Sequence, residues 1–223
     1  MTNIDYLPCV EIETEPDAPA TASLIGLHGL GADGHDLAHL ASSLPIQQPV
    51  RWRFPHAPVR PVSLHGGVPM PAWYDIYGLD FGSQEDKAGL KAAAQSIERL
   101  IQREIDRGIP SERIFLCGFS QGGALALYTG LRYARRLAGI LALSTYLPVA
   151  KQLAQEASSA NRRIPIFMAH GNQDTVVSLE MGEGSKDRLE ALGYAVDFHR
   201  YAMAHSICTQ EIADMGAWIQ RLI

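Results

Sequence analysis

Gly118-Phe119-Ser120-Gln121-Gly122 sets a serine between two glycines, in the spacing G-x-S-x-G of a serine nucleophile. A serine hydroxyl alone is a weak nucleophile and needs a histidine to take its proton and a carboxylate to orient that histidine. With Gly and Ser each near 7% of residues, a chain this long holds roughly 0.08 such pentapeptides by chance, so the motif counts only with its setting. The setting fits. An apolar run at 113–119 (RIFLCGF) precedes the serine, and small apolar residues at 123–133 with helical character follow it. Strand, sharp turn and helix would lift the Ser120 hydroxyl out of the sheet edge, with Gly118 and Gly122 leaving room for backbone to cross closely. The free amides of the new helix would then favour negative charge at the same point. A glycine-flanked serine that only caps a helix is the competing reading.

In a strand–turn–helix site of this kind the acid and the histidine follow the serine in that order. His170, His199 and His205 are the histidines after Ser120. Asp174 falls in the loop after the apolar run 164–168, at the carboxyl edge of a parallel sheet where catalytic groups collect. His205 follows the next alternating run and precedes the last helix, which places it at the same edge. His199, inside that run, reads as a half-exposed histidine, and His170 as a hydrogen-bonding residue behind the Asp174 loop. Asp174 could also be a turn or cap residue. For the oxyanion, the amide after the nucleophile belongs to Gln121, and the loop Leu27-His28-Gly29-Leu30-Gly31 offers the Leu30 amide as second donor. A simple glycine-rich turn is the alternative for that loop.

These groups need elements to hold them. Short apolar runs at 22–27, 113–119, 137–143 and 164–168 alternate with segments of helical period, which predicts a mostly parallel sheet with helices on both faces. The runs are almost continuous, as suits strands covered on both sides. Runs at 50–54 and 194–199 are weaker, alternating candidates. Leu90, Ala94, Ile97, Ile101 and Ile105 mark a helix over about 84–107, with Ser83 and Asp86 resembling a capping box. Ile212, Met215, Ile219 and Leu222 mark the last helix. Residues 55–82, rich in proline and glycine, read as one long irregular loop, ordered by Met70, Trp73, Tyr74 and Tyr77. No composition shift divides the chain, so 1–223 reads as one domain.

Composition excludes other classes. The 223 residues are 47% hydrophobic and 19% charged, which supports a large core and not long disorder. A net charge of −5 supplies no basic field for nucleic acid. No apolar stretch approaches the ~20 residues of a bilayer span, and the first nine residues lack the basic start of a signal peptide. Three widely spaced cysteines, Cys9, Cys117 and Cys208, point to a reducing cytoplasm, with Cys117 reading as a buried strand residue.

Taken together, these motifs resemble the carboxylesterase and acyl-protein thioesterase (lysophospholipase-like) family of α/β-hydrolases. The likeness is carried by Leu27-His28-Gly29-Leu30-Gly31, Pro71-Ala72-Trp73-Tyr74-Asp75, the Ser120 pentapeptide with Gly123, Tyr146-Leu147-Pro148, His170-Gly171 with Asp174-Thr175-Val176-Val177, and His205-Ser206. It implies a three-layer α/β-hydrolase fold without a large lid domain. It also implies a Ser120, Asp174 and His205 triad, an oxyanion hole from the Leu30 and Gln121 amides, no metal and no organic cofactor. Implied substrates are small esters or thioesters, acylated proteins or lysophospholipids, and several members of the family form homodimers, which leaves the oligomeric state of this chain open. Thr145 and Ala204 stand where the family pattern favours glycine or a smaller residue, and Thr145 would narrow the acyl site if it faced the nucleophile. Met70 and Trp73 are candidate acyl contacts, although Trp73 equally suits an anchor for its loop. Peptidase, acyltransferase and phospholipase chemistry would use the same triad. A metal-dependent hydrolase, built on His35 and His39 four residues apart on one candidate helix, is the rival chemistry, and a non-catalytic binding module the rival outside enzymes.

Overall fold

The computed structural model describes residues 6–15, 17–78 and 84–223. In chain order its elements are β1 (Cys9–Glu13), β2 (Ala22–Leu27), the short α1 (Leu40–Ser43), β3 (Val50–Pro55), β4 (Val59–Val62), β5 (Val68–Pro71), α2 (Lys87–Asp106), β6 (Ile114–Phe119), α3 (Gln121–Arg132), β7 (Gly139–Leu143), α4 (Ala150–Glu156), β8 (Ile166–Gly171), α5 (Leu179–Ala191), β9 (Val196–Tyr201) and α6 (Thr209–Gln220). Seven strands form one sheet in the order β1-β3-β2-β6-β7-β8-β9. Within it only β1 runs antiparallel to its neighbour; every other pairing is parallel.

The continuous apolar runs fold as expected for strands covered twice. Every residue of β2, β7 and β8 is buried. Neighbouring strand residues feed opposite cores. Ile25, Leu116 and Ile140 pack with Ile97 and Ile101 of α2, Leu125 of α3 and Leu189 of α5. Leu24, Phe115 and Leu141 pack with Leu40 of α1 and Met215 and Trp218 of α6. Among the described residues no lid domain covers the sheet edge, and no helix is long and apolar enough to cross a membrane.

Three expectations need correction. Residues 55–82 are not one irregular loop, because β4 and β5 form a two-stranded antiparallel hairpin there. Pro61, Pro69 and Pro71 remove donors from it, which is tolerated because this pair has no further partner strand among the described residues; the last residues of that stretch lie outside the described ones. Helix α2 starts at Lys87, capped by Asp86, whose carboxylate accepts the Gly89 amide at 2.8 Å. Asp86 is therefore the cap itself, and Ser83 of the expected box lies outside the described residues. His35 and His39 sit in turns ahead of α1 rather than on one helix.

Two buried glutamates are treated in opposite ways. Glu104 of α2 meets Arg53 of β3 at 2.8 Å with both side chains 1% exposed, and its second oxygen takes Arg51 at 3.3 Å. Edge strand β1 closes this network with Glu11, which reaches Arg53 at 3.4 Å and Arg103 at 2.8 Å. Glu211, on the first turn of α6, is fully buried, and neither carboxylate oxygen has a well-aligned partner among the described residues. Burial pushes its pKa up to about 8, against the pull of the nearby Cys208 amide and with help from Asp214.

Removing one partner of a buried pair strands the other charge. Glu104→Ala is expected to lower the unfolding free energy by about 3 kcal/mol in urea denaturation, and a loss below ~1 kcal/mol would show that Glu11 and Glu13 suffice for Arg53. Glu211 sets a pH dependence of definite sign. As pH rises from the ordinary carboxylate range to about 8, the unfolded chain loses the proton that the folded chain keeps, so this residue erodes stability by up to about 1.4 kcal/mol per pH unit. Above that range both states are ionised and the penalty is constant. The stability advantage of Glu211→Gln over the parent should therefore grow between about pH 5 and pH 8; a pH-independent difference in the same urea titrations would contradict it.

Candidate active site

Parallel pairing in register brings the carboxyl ends of the central strands to one edge. Leu27 lies opposite Gly118, Phe119 opposite Leu143, Leu143 opposite Ala169, and Gly171 opposite Tyr201. The loops after β2, β6, β8 and β9 therefore carry Leu30, Ser120, Asp174 and His205 to a common place.

Ser120 occupies the single-residue turn between β6 and α3 at φ 54°, ψ −119°, in a region side chains rarely adopt. Glycines make this turn possible. A Cβ on Gly118 would collide with the Gly122 backbone, and one on Gly122 with the Leu27 carbonyl. The turn is tied down on both sides: the Ser120 amide donates to Leu143 at 2.9 Å, and the Ser120 carbonyl accepts the Ala124 amide at 3.1 Å and the Thr145 hydroxyl at 2.6 Å. Thr145 is fully buried, with its methyl face against Gly123. It thus packs behind the turn and is not among the residues that line the cavity beside Ser120.

His205 Nδ1 and Asp174 Oδ2 lie 2.6 Å apart. The other oxygen of Asp174 accepts the Val176 and Val177 amides at 2.8 and 2.9 Å, so the carboxylate is held in one orientation. The two loops are also laced together, with the Asn172 amide on the Tyr201 carbonyl and the Gln173 amide on the Met203 carbonyl. Gly171 allows this approach, since a Cβ there would strike the Met203 and Ala204 carbonyls. Ala204 itself has no positive φ, so its backbone does not require glycine. The His205 ring packs on Phe119 with centroids 4.7 Å apart. His170 stands behind the aspartate, fully buried, donating from Nε2 to the Val177 carbonyl at 2.8 Å. His199 is half-buried on β9 and pairs with Asp197.

Ser120, His205, Leu30 and Gln121 line one cavity of about 320 Å³, with Leu64, Ile76 and Val176 among its apolar walls. Among the described residues neither the Leu30 nor the Gln121 amide donates to a protein acceptor. The sequence reading missed what holds these amides. The Gln121 side chain accepts the Trp73 amide at 2.9 Å and donates to the Tyr74 carbonyl at 2.8 Å. The Trp73 indole donates to the His28 carbonyl at 2.8 Å, and the Gly31 amide donates to the Pro71 carbonyl at 2.9 Å. Trp73, 1% exposed, anchors its loop through these bonds and lies outside the lining of this cavity. Met70 is half-buried on β5, near Gly31, and also lies outside the lining of this cavity. Cys117, directly beneath the turn, is buried and its thiol pKa is pushed well up. A cluster of possible metal ligands is formed by Asp33, His35 and His56, within 4.8 Å of one another, and does not include His39. There Asp33 accepts both the His35 amide and its ring, while His56 Nδ1 accepts the Gly34 amide.

Sheet order, turn and loop placement are those of an α/β-hydrolase. The sequence pattern of the phospholipase/carboxylesterase family matches residues 7–223. Acyl-protein thioesterase 1 of Mycosarcoma maydis is 41% identical over 237 residues, covering 99% of each chain, and that of Cryptococcus neoformans var. neoformans serotype D is 39% identical over 230 residues, covering 95% of this chain and 97% of that one. The crystal structure of Zea mays acyl-protein thioesterase 2 superposes with a TM-score of 0.84 at 31% identity, over 95% of this chain and 98% of that one. The chain belongs to the phospholipase/carboxylesterase family and is a carboxylic ester hydrolase.

Proposed function

We propose that the protein hydrolyses carboxylic esters or thioesters through an acyl-enzyme on Ser120. The observation that carries this reading is the 2.6 Å contact between His205 and Asp174, on a histidine that lines the same cavity as the strained serine. His205 Nε2 takes the Ser120 proton as the hydroxyl attacks the carbonyl, and Asp174 holds the ring with Nδ1 protonated. The Leu30 and Gln121 amides meet the oxyanion, where each donor is worth about 3 kcal/mol of transition-state stabilisation. His205 then protonates the departing alcohol or thiol, and water activated by the same ring frees the acid.

The substrate class we assign is an S-acyl or O-acyl chain on a larger carrier. Curated relatives carry the name acyl-protein thioesterase, and apolar side chains, including the half-exposed Val176, flank the cavity mouth. We further propose that residues 1–223 act as one domain and work in the cytoplasm, a placement supported by three free cysteines. No step calls on a metal or an organic cofactor.

Ser120→Ala should lower kcat on both an aryl ester and an S-acyl thioester by at least ~10⁴-fold without changing the unfolding transition, and Asp174→Asn by about 10⁴-fold. Activity of Ser120→Ala near that of the parent, or failure of a fluorophosphonate to label Ser120, would overturn the mechanism. Comparing the two leaving groups across acyl lengths reads out the substrate class.

A further inference from the structure

We infer that His28 is a positioning residue that aims the Leu30 amide into the active site. This rests on the reading of Leu30 as an oxyanion donor. His28 follows β2 directly and is fully buried. Its ring meets two backbone groups. The Ala57 amide lies 3.0 Å from Nε2, and the Gly29 carbonyl oxygen lies 2.8 Å from Nδ1. An amide N–H can only donate, so Nε2 must carry a lone pair. A neutral ring then bears its proton on Nδ1, which donates to Gly29.

The peptide linking Gly29 to Leu30 turns that bond into an orientation. In a trans peptide the carbonyl of one residue and the amide of the next point to opposite sides of the same plane. Holding the Gly29 carbonyl against the buried His28 ring therefore turns the Leu30 amide the other way, toward the cavity that Leu30 shares with Ser120. A pin is needed because Gly29 has the conformational freedom for the peptide to rotate cheaply.

The same residue is strapped to the other donor. The His28 carbonyl accepts the Trp73 indole, their rings pack at 5.0 Å, and the Trp73 amide donates to the side chain of Gln121, whose own backbone amide is the second donor. A doubly protonated ring would set an N–H against the Ala57 amide. Burial lowers the His28 pKa, with His56 acting the same way, and outweighs the Gly29 carbonyl, Asp33 and Asp36.

Two substitutions separate the two ring contacts. His28→Asn places an amide N–H where Nδ1 sits and keeps a donor for Gly29. His28→Gln places its amide where Nε2 sits, which keeps an acceptor for Ala57 and loses the donor. On an aryl ester, His28→Gln should lose about 10²-fold in kcat at nearly constant KM, and bind a boronic acid more weakly by a similar factor, while His28→Asn stays within about 10-fold of the parent. A folded His28→Gln that keeps parental kcat, or equal losses in both variants, overturns the assignment. If His28→Gln does not fold, nitrogen NMR of the parent decides. The expected spectrum shows Nδ1 protonated and Nε2 bare at neutral pH, and a proton on Nε2 there overturns the assignment. Ser120→Ala run in parallel separates the readings. If it is inactive while His28→Gln is fully active, only the role of His28 falls; if it is active, the nucleophile itself is misassigned.

Discussion

The geometry of the site depends on one close backbone crossing. At Ser120 the chain reverses from β6 into α3 within a single residue, and it does so by pressing the Gly118 backbone on that of Gly122, and Gly122 on the end of β2. The left-handed conformation of a non-glycine residue there costs on the order of 1–3 kcal/mol and persists only because its surroundings over-determine it. Leu143 holds its amide, while Thr145 and Ala124 hold its carbonyl. The crossing also sets distances elsewhere. Because glycine at 122 lets the start of α3 approach the Leu27 and His28 carbonyls, and Trp73 bonds to both His28 and Gln121, the Gln121 and Leu30 residues lie on one cavity.

The histidine and its carboxylate are assembled by different means. Asp174 and His205 come from consecutive strand ends, β8 and β9, whose parallel ladder runs on into the loops through the bonds from Asn172 and Gln173. The pair thus inherits its register from the sheet. Asp174 needs no strain to be aimed, since two loop amides occupy the oxygen that His205 does not use. The half-buried His205 ring packs on Phe119, the residue just before Ser120, and lines the cavity with it.

Much of this was legible in the sequence because the relevant physics is local. Strands covered on both faces must be continuously apolar, so β2, β6, β7 and β8 stood out, and a glycine-flanked serine after one of them marked the turn. Other elements were hidden for equally physical reasons. β1 is short and half-buried, and its Glu11 and Glu13 read as surface charge until Arg51, Arg53 and α2 are beside them. Prolines masked the β4–β5 hairpin, since they are tolerated only in a ribbon with no third strand. Trp73 could not be placed because a loop tryptophan can face a ligand or the core. The bond from its indole to the His28 carbonyl settles that only in three dimensions. Thr145 stood out as a departure from pattern, but its hydrogen bond to Ser120 depends on the ψ of a turn that no spacing encodes.

The supports of the site are, with one exception, uncharged. His28, Trp73, Gln121 and Thr145 act through neutral hydrogen bonds to backbone, in positions at most 2% exposed. The exception is the Asp174 carboxylate beneath His205. Charge is concentrated instead in the Arg51, Arg53, Glu104 network, between β3 and α2. Besides His205, the ionisable side chains lining the cavity are the exposed Asp36 and His65 and the partly buried Tyr146 phenol. This division has a physical logic. Oxyanion stabilisation draws on dipoles fixed before the reaction, and a buried neutral network keeps its geometry across pH and salt, whereas an ionic one would respond to both. A buried cation would also bias the acid–base behaviour of His205 before substrate arrived. In the mechanism we propose, building the hole from amides held by neutral side chains leaves the Asp174–His205 pair as the charge relation that the chemistry changes.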